Sequence, residues 1–447
     1  MTILSLLTTI ALLITVSSGS NCLTRQSIEE SLKKVYIPGA AIIVVNSTDI
    51  LYEEAFGYQS LLPKKPLDIE RSIFPVASIS KTVIAVAVMQ LVEQKRVDLD
   101  TDVNEYLGLP SRAIYHRNFP NSSITLRRLL SHSSSIAVNG ALQASFFQAG
   151  DSAIDNGTLA EFCLKYLNWN TTNWLPRPPG NATLYSNEGT TLAALVVERI
   201  SNMRYDQYVK EKIFKPLNVT SDKVGVLLKD FTDKTHFVEH YAYAPNSSFL
   251  ELWKAEFPQL NVELMPGNLS TYLRIPFLGF TGYPAGLLRM SAHSLSAFLR
   301  MFVNKGSPLL SPQSVDEIKT IVGNGQIYPF NPNPNSTTQP PPRRYGLCWH
   351  WRTLTDNRQY LGHGGSLPGM THLMLINEKH NTGVIVLTNA DTNAPIELTQ
   401  QIYEAMENIH ISMFRCYETN HAMPILFYSK TIIFGFCFRI LLIMKSL

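Results

Sequence analysis

The sequence predicts an α+β fold: an antiparallel sheet built from both chain ends, flanked by helices and interrupted by a large, mostly helical insertion. Three observations predict it. Strand-like runs at Ala40 to Tyr58 are matched by others at Tyr345 to Thr388. The stretch between, from Asp98 to about Gln339, carries helical patterns separated by long polar, Pro-rich loops. The segment Thr82 to Val92 is apolar almost all round, as in a helix buried at the centre of a protein, and is too short to span a membrane.

The elements follow in order. A helix is expected at Leu23 to Val35. Ala40 to Val45 and Leu51 to Tyr58 flank Asn46-Ser47-Thr48-Asp49 as a hairpin. The buried helix comes next, then helical runs at Leu192 to Ile200 and Ser294 to Phe302, with Tyr328 to Pro342 the clearest surface loop. Strand character returns at Tyr345 to Trp351, His372 to Ile376 and Gly383 to Thr388, and Leu398, Ile402, Met406 and Ile409 keep helical spacing.

Composition bounds the function. The 447 residues are 45% hydrophobic and 16% charged, which fits a globular chain rather than a disordered one. A net charge of +3 is too balanced for a nucleic-acid grip that rests on phosphate neutralisation. Five cysteines cannot build a dense disulfide scaffold, one must lack a partner within the chain, and no CxxC pair suggests zinc.

Both ends of the chain carry information about address. Thr2 to Val16 is an uncharged apolar run followed by Ser17-Ser18-Gly19-Ser20, read as a signal peptide over 1–20, with an uncleaved membrane anchor as the alternative because no Lys or Arg precedes it. Asn46, Asn121, Asn156, Asn170, Asn181, Asn218, Asn246, Asn268 and Asn335 each begin an N-x-S/T sequon, which points to a secreted or lumenal glycoprotein. Pro424 to Met444 is also apolar, but Lys430 and Arg439 interrupt it, and one such charge mid-span costs ~3 kcal/mol. Membrane association is expected only through these two apolar segments.

The chemistry resides in three short motifs. Ser78-Ile79-Ser80-Lys81 places a serine and a lysine on one helix face, with the lysine amine within reach of the hydroxyl. Burial and the positive helix N-terminus depress a lysine pKa enough to make it a base, and the same N-terminus offers N–H groups to an oxyanion. The bare pattern is weak: Ser31-Leu32-Lys33-Lys34 matches it on an ordinary solvated helix. Pro179-Gly180 leads into Tyr185-Ser186-Asn187, a YxN ahead of a helix, whereas Tyr166-Leu167-Asn168 lacks that turn and is rejected. His363-Gly364-Gly365-Ser366 supplies an HxG.

In this order the motifs resemble the serine β-lactamase-like hydrolases, the branch with class C β-lactamases, DD-peptidases, D-aminopeptidases and related esterases. Ile124 to Ser134, Ile213 to Leu217 and Ala285 to Leu288 support the resemblance, which spans about Ser27 to Ile409. It implies a β-lactamase/transpeptidase-like fold and a serine hydrolase, free of metal and cofactor, acting through an acyl-enzyme on a small-molecule or peptide substrate. Ser78 would be the nucleophile, Lys81 its base and Tyr185 a proton relay. Asn187, His363, Gly365 and Ser366 would bind substrate, with the N–H groups of Ser78 and Ser366 as the oxyanion hole. Residues 21–98 with 342–412 would form the sheet subdomain carrying Ser78, Lys81 and His363; 99–341 the helical subdomain carrying Tyr185 and Asn187; and 413–447 a tail. The alternative from another class is a catalytically silent binding or assembly protein on the same fold.

Departures from the family pattern carry their own expectations. Ser133-Ser134-Ser135 replaces a usual glycine after His-Thr-Ser, read as a local loop change. His132 reads as a packing histidine and Cys348 as a core residue on a strand. His363 stands where many relatives carry lysine. At a reference pKa of ~6.5 it would be mostly neutral at pH 7 and begin to charge towards pH 5.5, so uncharged esters or amides should be preferred over carboxylate-bearing substrates. A glycan on Asn181, close to Tyr185, must point away from the cleft.

Overall fold

A computed structural model describes residues 22–108, 113–168, 170–333, 344–391 and 396–418. The expected signal peptide, the apolar segment at 424–444 and the sequon at Asn335 lie outside the described residues. The first helix, α1 (Arg25–Lys34), is capped by Thr24, whose hydroxyl accepts from Ser27 N–H. It leads into β1 (Gly39–Val45), β2 (Ile50–Leu61) and the short β3 (Lys64–Pro66). At the other end of the chain come β4 (Arg344–Tyr345), β5 (His350–Thr353), β6 (Gln359–Leu367), β7 (Met370–Asn377) and β8 (Thr382–Thr388). They form one eight-stranded antiparallel sheet in the order β4-β5-β6-β7-β8-β1-β2-β3, so the two chain ends meet where β1 pairs with β8.

Strand β1 reads as an unbroken apolar run because both of its faces are covered. Ala40, Ile42 and Val44 join one core with Ile28 and Leu32 of α1. Ala41, Ile43 and Val45 join the other, with the buried helix α2 (Ser80–Glu93). Eleven of the fourteen residues of α2 are buried, as expected of an all-apolar helix. It packs against α3 (Asn187–Ser201), which brings the two helix starts together.

Helix α4 (Ala292–Val303) packs across β1 and β8, so part of the 99–341 segment is a layer of the sheet subdomain. Among the described residues this segment also contributes strands to three small sheets, in one of which Arg289–Met290 pairs with Phe74–Pro75 from outside the segment. The last helix among the described residues, α5 (Ile396–Glu418), lays Leu398, Ile402, Met406 and Ile409 on the outer core and runs beyond 412. A disulfide joins its Cys416 to Cys22, at a sequence separation of 394 and with Cα atoms 4.9 Å apart. Among the described residues no helix is long and apolar enough to cross a membrane.

One strand expectation fails. The run from Tyr345 to Trp351 is broken by a bend, and Cys348 sits in it at φ 58°, off the ladder, with its N–H donated to Leu130 O at 2.7 Å. The residue is fully buried, so the core reading of its side chain stands.

Candidate active site

Ser78 lies in a single 3-10 turn, Ala77–Ile79, that runs straight into α2. Ala77 adopts φ 49°, a left-handed conformation costly for a residue with a Cβ, immediately before the serine. Neighbouring backbone holds the turn in place. Val76 N–H donates to Leu288 O at 2.8 Å, Leu288 N–H donates to Ser80 Oγ at 3.2 Å, and His372 Nε2 donates to Pro75 O at 2.8 Å. On the sheet side Gly365 leaves no space: a Cβ there would stand 2.8 Å from Val76 O and 3.0 Å from Ala77 Cβ. Thus β6 passes flush against the Ser78 turn, and Ser366 borders the same cavities as Ser78.

Lys81 is fully buried. Its Nζ is 3.0 Å from Ser78 Oγ, donates to Ala285 O at 2.6 Å and lies over the Tyr185 ring, 4.8 Å from the centroid. Burial pulls its pKa from 10.5 down to about 7, against smaller opposing pulls from Cys348 and Glu188. An amine at that pKa is substantially unprotonated at neutral pH, which is what deprotonating a serine requires.

Tyr185 and Asn187 arrive through paired loops. The 131–135 loop accepts Leu184 N–H at His132 O (2.8 Å), Gly180 N–H at Ser133 O (2.7 Å) and Leu175 N–H at Ser135 O (2.8 Å). His132 does more than pack: its Nδ1 accepts Ser186 N–H at 3.2 Å and its ring lies 4.4 Å from that of Tyr185. Ser135 occupies φ 65°, the conformation a glycine would adopt freely. Ser186 caps α3 by accepting Gly189 N–H at 2.9 Å, which sets Asn187 at the first helical position, lining the cleft. Asn181 is exposed, so its sequon is compatible with an open cleft. The rejected YxN is structural, with the Tyr166 hydroxyl buried and bonded to Asn139 N–H and Ala137 O.

His363 is buried on β6, and its Nδ1 donates to Gly364 O. Burial first, then Lys81 and, more weakly, Arg352 push its pKa down to about 3. The expected onset of charge towards pH 5.5 is therefore corrected: His363 stays neutral through that range.

Two cavities meet at Ser78. One, about 190 Å³, is walled by phenylalanines and bordered by Gln143, Asn187 and Glu188. The other, about 490 Å³, is bordered by Tyr185, His350, Arg352 and His363. Sequence reasoning missed Glu188 and Arg352. Glu188, next to Asn187, is buried and accepts from Gln143 Nε2 at 2.8 Å and Ser186 Oγ at 3.1 Å; burial raises its pKa, with those bonds and Lys81 opposing. Arg352 lies on β5 beside β6 and donates to His350 Nε2 at 2.8 Å. The alternation His350-Trp351-Arg352 on a strand neighbouring the HxG was the available signal. Glu53, Glu70 and His293 lie close together elsewhere among the described residues, but the group is largely exposed and His293 Nδ1 already pairs with Glu53 at 2.8 Å.

A serine at the head of a buried helix, with a lysine one turn on and YxN and HxG facing it, defines the serine hydrolase class of β-lactamase and penicillin-binding type. The Beta-lactamase family model matches residues 24–405, and the chain belongs to that family. It is 23% identical over 385 residues to Protein flp of Staphylococcus aureus (strain MRSA252), covering 85% of this chain and 65% of that protein. Penicillin-binding protein 4* of Bacillus subtilis is 24% identical over 393 residues, covering 86% and 75%. Among solved structures, the octameric penicillin-binding protein homologue from Pyrococcus abyssi superposes with a TM-score of 0.63 at 21% identity, covering 85% and 76%. The D-amino acid amidase of Ochrobactrum anthropi SV3 complexed with L-phenylalanine does so with 0.60 at 18%, covering 87% and 100%.

Proposed function

We propose that this chain is a secreted or lumenal serine hydrolase that cleaves an ester or amide through an acyl-enzyme. The observation that carries the reading is the 3.0 Å approach of a buried Lys81 amine, held near neutrality, to the Ser78 hydroxyl. Lys81 takes the Ser78 proton as Oγ bonds to the substrate carbonyl carbon. The carbonyl electron pair moves onto oxygen, facing the N–H groups of Ser78 and Ser366. Collapse restores the carbonyl and breaks the bond to the leaving atom, which receives the proton from Lys81 by way of Tyr185. Water then repeats the sequence in reverse and frees Ser78. The test is labelling with a fluorophosphonate or a penicillin probe, with the adduct located by mass spectrometry. An adduct on Ser78, absent in Ser78→Ala, is expected. No adduct on folded protein would favour a silent binding protein.

The compartment is part of the same reading. A disulfide between Cys22 and Cys416 and eight described sequon asparagines, none of them buried, support passage through an oxidising, glycosylating lumen. Expression in a glycosylating host with and without an N-glycosidase checks this: a mobility shift is expected, and its absence would remove the main support.

A further inference from the structure

We propose that the cavity beside Ser78 selects substrates whose acyl half carries a phenyl ring on a short linker, with Phe146, Phe147, Phe162, Phe257 and Phe280 as the specificity-determining residues. This rests on the hydrolase reading above and names which half of the substrate goes where. Tyr185, the group that hands a proton to the leaving atom, borders the larger cavity and not the smaller one. The leaving group therefore exits through the larger cavity, and the acyl residue left on Ser78 occupies the smaller.

The smaller cavity fits such a group in size and chemistry. Its volume of about 190 Å³ exceeds the ~150 Å³ that accepts benzene in an apolar cavity. Its walls are two groups of touching rings that border one space, with centroids 4.8 Å apart for Phe146 and Phe162 in one, and 5.1 Å for Phe147 and Phe280 and 5.8 Å for Phe147 and Phe257 in the other. Edge and offset contacts of these kinds leave ring faces and edges for one further aromatic guest. Gly282 makes the wall possible, since a Cβ there would stand 2.8 Å from the Phe162 ring. At the polar end, both Glu188 oxygens are already occupied by Gln143 and Ser186, and the carboxylate disfavours an acyl group bearing a carboxylate of its own.

The experiment compares kcat/KM for 4-nitrophenyl 3-phenylpropanoate and 4-nitrophenyl acetate in wild type, Phe147→Ala and Phe257→Leu. One methylene in an apolar pocket is worth tenfold or more, so a ratio of at least about ten is expected in wild type, falling several-fold in both variants. The ratio is independent of the folded fraction, so partial unfolding of a variant cannot imitate the effect. A ratio near one in wild type, or one unchanged in both variants, would overturn the assignment. If neither ester is turned over and no adduct forms on Ser78, the hydrolase reading itself fails. The pocket is then judged by calorimetry of 3-phenylpropanamide against acetamide, where equal affinities would overturn it separately.

Discussion

Replacing Lys81 by Met should abolish activity and stabilise the protein, and the stabilisation should fade as pH rises. The lysine pKa drops from 10.5 to about 7 on folding, a difference of about 3.5 units. At 1.36 kcal/mol per unit, burying the protonated amine costs about 5 kcal/mol. The sign follows from which state holds the proton. Below pH 7 both states are protonated and the full cost is present. Between pH 7 and 10.5 the unfolded chain keeps a proton that the folded protein has released, so folding stability rises with pH. Above 10.5 the cost is gone. Methionine has similar volume and no charge, but strips Ala285 O of its 2.6 Å donor, a loss of about 1–3 kcal/mol. The net gain at pH 6.5 is then about 2–4 kcal/mol. Unfolding a body of roughly 400 residues carries ~0.8 kcal/mol/K of entropy, so Tm should rise by about 3–5 °C. Calorimetry of both proteins from pH 6.5 to 9.5 measures it, alongside turnover of a neutral ester, expected to fall by at least about 10²-fold. A Tm difference that does not shrink across that range, or a less stable variant at pH 6.5, would refute the depressed pKa.

Three further outcomes follow from the same geometry. For a neutral ester, kcat/KM should rise with pH to a plateau through an apparent pKa near 7, as Lys81 loses its proton; an inflection above pH 9 would move the base elsewhere. Because Arg352 borders the leaving-group cavity, Arg352→Ala should cut kcat/KM for a leaving group bearing a carboxylate about tenfold more than for its neutral analogue, and equal losses would sink that role. Cys22→Ser removes a cross-link spanning 394 residues, for which the chain-entropy relation gives ~6 kcal/mol as an upper bound, so Tm should fall by several degrees; an unchanged Tm would show that the bond contributes nothing.

The fold was legible in the sequence because burial on both faces writes itself as unbroken apolar runs. Ala40 to Val45 and Thr82 to Val92 could hardly be anything but a central strand and a central helix. Ser78, Lys81, Tyr185 and Asn187 were legible as short motifs, since each pair is set by a single turn of local backbone. The bend at Cys348 was not, because a buried apolar run carries no sign of a positive φ at one residue. The phenylalanine wall was invisible for another reason. Its rings come from four separated segments, each an ordinary apolar residue in its own neighbourhood, and only tertiary packing makes them one surface. The same holds for one side of Glu188: Ser186 is its neighbour in sequence, but Gln143 is brought to it from another stretch by tertiary packing.

His363 shows where reasoning from one residue misleads. Read alone, a histidine in place of lysine removes the cation that would hold a substrate carboxylate, and a reference pKa lets acid restore it. In the folded protein neither step holds. Burial and the nearby Lys81 keep the imidazole uncharged down to a pKa of about 3, so acid does not recruit it. The cleft still has a cation, one strand away: the Arg352 guanidinium projects from β5 to the edge of β6, and a Cβ on Gly364 would stand 3.7 Å from its Nη2. That displacement matters for the base as well. A lysine at 363 would set a second positive charge beside Lys81 and depress its pKa further, whereas an arginine on the next strand acts from farther off, leaving burial as the main determinant of the Lys81 pKa. A neutral histidine beside the base and a permanent cation on the adjacent strand thus allow the site to combine a lysine poised near neutrality with a positive leaving-group cavity.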